Sequence, residues 1–158
     1  ELVVRGSNVM AGYWEAPEAT ERVLKPGPVR GERMLYTGDL FRTDAEGYLY
    51  FVGRKDDIIK SRGEKVSPRE VENALCSHPG VAEAAVLGVP DAILGQAIVA
   101  YVALRPGCEA TERELLRHCA ARLEDFMIPK SITLCDTLPK TGNQKIDKRA
   151  LAAGVQRA

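Results

Sequence analysis

The sequence has no net charge: its 158 residues carry 22 Lys and Arg against 22 Asp and Glu. No whole-molecule field therefore gathers nucleic acid or an anionic membrane, and any anionic ligand must be held by local groups. A long apolar run is also lacking, since no stretch approaches the roughly 18 apolar residues that a membrane helix needs. The opening ELVVRGSN has neither a basic leader nor a cleavable apolar segment. These absences lead to the expectation of a cytoplasmic protein with no nucleic-acid partner and no membrane span. Cysteine is sparse: Cys76, Cys108, Cys119 and Cys135 form no CxxC pair and have no His at metal-ligand spacing. They read as free structural thiols in a reducing compartment, with no metal site. His78 and His118 stand alone in the sequence and read as helix-end or surface residues. The GxxxxGK[ST], GxGxxG and GxSxG signatures are all missing. With 45% hydrophobic and 28% charged residues, the composition is that of an ordinary globular domain, neither disordered nor collagen-like. The chain begins at Glu1, not at Met, in what reads as a strand, and is expected to be a piece of something longer.

What is present divides in two. Residues 1–5 alternate as a strand, Pro17 opens a short helix to Leu24, and a loop KPGPVRGER follows. MLYTGDLFRT and YLYFVGR read as two strands joined by the turn Asp44 to Gly47. After Arg54 the pattern changes. DDIIKSRGEKVS reads as a tight hairpin about Gly63, and Ser67-Pro68-Arg69-Glu70 as a capping box opening a helix with Val71, Ala74 and Leu75 on one face. VAEAAVLGV and QAIVAYVAL read as paired strands. A helix from Thr111, boxed by Glu114, is expected to bury Leu116, Ala120, Leu123 and Met127. SITLCD is a last strand and KIDKRALAA a final helix. This mixture predicts a small α+β fold of two or three layers.

Three segments bear on chemistry. Asp39 in YTGDL sits on a glycine turn, where a carboxylate can accept two hydrogen bonds from a ribose diol. Taken alone, it reads more readily as a turn Asp bonded to its own backbone. In GRKDDIIKSRGEK, Lys60 and Lys65 flank the turn at Gly63, an arrangement that offers cations beside a glycine with room for a ligand; a solvated hairpin explains the same charges. LPKTGNQKIDK has the composition of an exposed basic loop.

In their order, these segments resemble the adenylate-forming superfamily of acyl-CoA synthetases, nonribosomal adenylation domains and luciferases, over nearly the whole chain. ELVVRGSNVMAGYWEAPEAT resembles the family's strand and GY segment, and YTGDL its ribose-binding turn. GRKDDIIKSRGEKVSPREVE is similar to the hinge and following hairpin, LEDFMIPK to the segment before the last strand, and LPKTGNQKIDK to the C-terminal lysine motif. SRGEKVSPREVE is more similar to fatty-acyl and aryl CoA ligases than to amino-acid adenylation domains.

The resemblance implies the β-rich end of a large N-terminal domain over residues 1–53, a hinge at 54–57 about Asp56, and a small mobile α+β domain over 58–158. It implies that a carboxylic acid and ATP, with Mg²⁺, give an acyl-adenylate, and that CoA then displaces AMP. Asp39 matches the ribose-binding position, Arg54 a nucleotide contact, Gly63 the glycine lining the pantetheine tunnel and Lys145 the lysine of adenylation. Lys60 matches a lysine of the second step, and Lys65 a position that touches nucleotide. The family usually has Gly before the catalytic lysine; here Gln144 stands there, which loses loop freedom. The phosphate loop, the acyl pocket and the Mg²⁺ ligands are expected upstream of Glu1, so little ligase activity is expected of this stretch alone. The alternatives are an acyl-carrier-protein ligase, or a module that docks a carrier protein or regulates a partner without catalysis.

Overall fold

The structure, a computed structural model, describes residues 1–155. Glycine at position 38 sets the layout of the first part of the chain. Strands β1 (Val3–Arg5), β2 (Leu24–Pro26) and β3 (Arg33–Tyr36) form an antiparallel sheet in the order β1-β3-β2, with helix α1 (Pro17–Val23) leading directly into β2. Residues 34–43 do not continue as one strand. Gly38 takes φ +74°, and the chain leaves that sheet to form a separate antiparallel ribbon of β4 (Asp39–Thr43) and β5 (Leu49–Arg54). Thr37 makes the break tight: its hydroxyl donates to the Leu2 carbonyl (2.9 Å) and accepts from the Asp39 N–H (3.1 Å). The ribbon's turn is organised by Asp44, whose carboxylate accepts from the Glu46 and Tyr48 amides and from the Tyr50 hydroxyl. The Tyr50 hydrogen bond is the main cause holding the Asp44 carboxyl below the usual range. This unit closes at Asp56, and a second begins at Asp57.

The second unit is built on β9 (Gly95–Leu104), which pairs antiparallel with β8 (Val81–Asp91) along its length and parallel with β10 (Ser131–Cys135). The short hairpin β6 (Ile59–Ser61) and β7 (Glu64–Val66) joins the start of β9 through Ser61 opposite Gly95. Period-2 alternation sends Ala84, Val86, Ala100 and Val102 to one face, under α2 (Pro68–Cys76) and α3 (Glu112–Ala120). Ala85 and Ala103 face a smaller apolar cluster with Leu138 and Leu151, the latter on α4 (Lys148–Val155).

Several sequence expectations are corrected in detail. α3 has the full Thr111–Glu114 capping box, but α2 starts without a side-chain capping bond; the Glu70 N–H meets the Ser67 carbonyl instead. The buried stripe of α3 is Leu115 and Cys119, with Leu116 partly buried and Ala120 exposed; Leu123 and Met127 pack against the core from beyond the helix end. The final helix begins at Lys148, because the Asp147 carboxylate caps it by accepting the Arg149 and Ala150 amides. His78 and His118 are not isolated in space, their rings meeting edge to face at 5.0 Å. All four thiols are free, but only Cys119 is buried, and burial pushes it up to about 11. The α+β class is as expected, and none of the described helices is long and apolar enough to cross a membrane.

Candidate active site

In the first unit, the break at Gly38 places Asp39 as the first residue of β4, directly opposite Arg54, the last of β5. The Arg54 guanidinium donates to Asp39 Oδ1 (2.9 Å) and to the Thr37 carbonyl (3.2 Å). A Cβ on Gly38 would lie 3.0 Å from Arg54 Nη2, so glycine serves both the positive φ and the approach of the guanidinium. Arg54, Thr37 and Gly38 line an open cavity of about 540 Å³, which Tyr13, Lys55 and Asp56 also border. One oxygen of Asp39 is taken by Arg54. A carboxylate offers about four lone-pair sites, so capacity for hydroxyl donors is left. Asp56 is exposed in a single 3-10 turn, Lys55–Asp57.

In the second unit, the hairpin about Gly63 is a two-residue turn with both central residues at positive φ, Arg62 at +55° and Gly63 at +84°. That backbone matches the twist of the strands and by itself accounts for glycine. A Cβ there would meet nothing within 4 Å, so the surface over Gly63 is open. Ile59 and Val66 point into the core, while Lys60 and Lys65 stand opposite each other and exposed. Two like charges on directly paired positions are mildly unfavourable, and both stay open to solvent.

Sequence reading did not find the groove beside this hairpin. It has a volume of about 470 Å³ and is bordered by Arg62, Leu94, Phe126 and Lys130. Its far wall is fixed by Asp91, which accepts the Ile93 and Leu94 amides and pairs with Lys130 (2.8 Å). Lys130 foremost, with those amides, lowers Asp91 to about 2. LEDFMIPK carried the signal for one wall, but the approach of Arg62 and Leu94 to it depends on tertiary pairing.

Lys145 lies elsewhere. Lys140 bridges Ile146, the Thr141 N–H donates to the Lys145 carbonyl (2.7 Å), and the Asp147 N–H to the Pro139 carbonyl (2.7 Å), closing a small loop. Gln144 occupies its left-handed position at φ +59°. Lys145 is exposed and forms no ion pair among the described residues. The loop base sits by Glu83, which is opposite Ala103, whereas the Lys60 hairpin meets β9 at Gly95. Eight residues of strand separate these anchors, roughly 26 Å. The structure thus brings together Asp39 with Arg54, and Lys60 with Lys65 and Gly63, and holds Lys145 apart from that hairpin. Among the described residues, no group of three or more His, Cys, Asp and Glu is placed to hold a metal ion by itself.

The profile of the AMP-binding enzyme C-terminal domain matches residues 70–145. The chain belongs to the adenylate-forming superfamily and corresponds to its C-terminal portion. It is 41% identical over 151 residues to the 2-succinylbenzoate–CoA ligase of Geobacillus kaustophilus, covering 96% of this chain and 30% of that enzyme. The long-chain-fatty-acid–CoA ligase of Bacillus subtilis is also 41% identical, with 96% and 26% covered. Among solved structures, the o-succinylbenzoate CoA synthetase of Bacillus subtilis in complex with its acyl-adenylate intermediate matches with TM-score 0.82 at 38% identity, over 94% of this chain and 29% of that one. The chain spans about 30% of the length of these relatives.

Proposed function

We propose that this chain is the C-terminal part of an ATP-dependent, AMP-forming acyl-CoA synthetase. A carboxylate oxygen attacks the α-phosphorus of ATP and pyrophosphate leaves; the CoA sulfur then attacks the acyl carbon and AMP leaves. The observation that carries this reading is that the two cationic elements dock at opposite ends of β9, at Gly95 and by Ala103, eight residues or roughly 26 Å of strand apart, an arrangement that disfavours both serving the same atoms at once. Each then serves one step. Lys145, at the closing end of its loop and in no ion pair among the described residues, neutralises the approach of carboxylate to phosphate, where two anions must meet. The Lys60–Gly63–Lys65 hairpin serves the second step, with the thiol arm passing over the open surface at Gly63. Rotation about Asp56 exchanges the two.

The groove of Arg62, Phe126 and Lys130, which Asp125 also borders and in which Lys130 is already paired with Asp91, offers the Arg62 guanidinium for a phosphate and a ring for stacking to the phosphorylated, aromatic end of CoA. Asp39 accepts the ribose hydroxyls, and Arg54 turns its remaining donors to the nucleotide. Mg²⁺ would be held by phosphates and residues outside this chain, and no step is assigned to it here. Relatives named for 2-succinylbenzoate and for long-chain fatty acids match this chain equally well, so similarity over this region does not choose between them. Four free thiols fit a reducing, cytoplasmic setting. With its preceding large domain, the chain should convert acid, ATP and CoA to thioester, AMP and pyrophosphate in equal amounts. Release of ADP, or thioester made without ATP, would contradict the reading.

A further inference from the structure

Lys145 is one of three lysines within nine residues, and the other two are neutralised by carboxylates from distant parts of the unit. Lys140 Nζ pairs with Glu83 on β8, and Lys148 Nζ pairs with Glu72 on α2 (2.7 Å). The pairs fall on either side of the Lys145 loop, one at its entry and one at its exit into α4. Both are partly shielded: the four side chains keep between 20% and 37% of their exposure, whereas the lysines of the pairs at Lys55 and Lys130 keep 64% and 62%. Glu72 is also tied to the sheet, because its Oε1 accepts the Val86 N–H on the open side of β8 (2.9 Å). The carboxylate therefore has a fixed position from which to hold Lys148. Glu83 stands opposite Ala103, on the face where Leu138 and Leu151 seat the loop.

We propose that Glu72 and Glu83 are positioning residues for Lys145. They fasten the two ends of its loop to α2 and β8, and they neutralise the neighbouring lysines so that Lys145 alone meets the reacting anions. The proposal rests on the ligase reading above and deepens it. Without Glu83, Lys140 would be a free cation at the bridge to Ile146, the residue after Lys145, and would compete for the same phosphate. Without the Glu72 pair, the start of α4 would no longer be tied to α2, and the loop's exit would move.

The test compares Glu72→Gln, Glu83→Gln, their double variant and Lys145→Ala in the ligase that carries this chain. Gln keeps an oxygen for the Val86 amide, which guards the fold of the first variant. Two rates are read: acid-dependent ATP–pyrophosphate exchange, and thioester formation from preformed acyl-adenylate and CoA. Each Gln variant should slow exchange by about 3- to 10-fold, as expected for a displaced contact rather than a lost one, and leave thioester formation within about twofold. The charge swap Glu83→Lys with Lys140→Glu should restore exchange, and Glu83→Lys alone should not. An unchanged exchange rate in the double variant, with exchange lost in Lys145→Ala, would overturn the proposal and leave the ligase reading standing. Equal losses in both steps would make the glutamates ordinary supports of the fold and also overturn it. If Lys145→Ala itself kept normal exchange, the ligase reading would fail first.

Discussion

The side chain of Asp39 is held by an arginine three-tenths to one-half exposed like itself, with 31% and 49% of the two side chains accessible. An ion pair so open contributes at most about 1 kcal/mol to stability. Asp39→Ala should therefore leave the thermal midpoint nearly unchanged while weakening nucleotide binding by about 2 kcal/mol, roughly 30-fold, the scale of charge-assisted hydrogen bonds to a diol. Titration calorimetry with AMP reads the affinity; a lowered midpoint with unchanged affinity would make Asp39 a turn residue only. Gln144 is a second case. At φ +59° a side chain costs about 1 kcal/mol that glycine does not incur. Gln144→Gly should raise unfolding free energy in urea by about that amount, and Gln144→Val should lower it. Equal stability of all three would mean that the loop relaxes out of this conformation. The positions of Asp39, Arg54 and Lys145 were singled out in the sequence because each sits in a short motif. Glu72 and Glu83 were not, since their partners lie 76 and 57 residues away and only the folded sheet brings them together.

At the scale of elements, the β8–β9 turn shows how one carboxylate organises a wall of the groove. Asp91 is lowered to about 2, chiefly by Lys130 and then by the Leu94 and Ile93 amides. Its folded value lies below the ordinary 3.8, so its contribution to stability is complete above that pH and is lost as pH falls toward 2. The stability gap between the protein and its Asp91→Asn variant should be constant at pH 5 to 7 and close between pH 4 and 2. Urea midpoints across that range check it; a gap independent of pH would show that the charge of Asp91 is not what holds the turn. Elements with strong local signals were read correctly, such as the boxed start of α3 and the hairpin about Gly63. The break after Tyr36 was not, because residues 34–43 keep strand character on both sides of Gly38, and what ends the strand is the Thr37 hydroxyl bonding Leu2, a contact 35 residues distant. α2 shows the converse: Ser67 and Glu70 have the spacing of a capping box, yet the helix starts on a backbone bond instead.

At the scale of the whole molecule, the proposed two-step reaction requires the second unit to offer its two cationic elements in turn. Asp56→Pro would fix φ near −65° at the exposed turn between the units and should slow one half-reaction at least tenfold more than the other. Equal effects on both would remove the hinge from the mechanism. Whether Lys145 and the Lys60 hairpin serve separate steps is decided by measuring both half-reactions in Lys145→Ala and Lys60→Ala. Lys145→Ala should slow acid-dependent ATP–pyrophosphate exchange by about 100-fold or more, the scale of one preorganised electrostatic contact. Given preformed acyl-adenylate and CoA, it should form thioester at a near-normal rate, and Lys60→Ala should show the opposite bias. Lys145→Ala with undiminished exchange, or both variants losing both steps equally, would contradict the account.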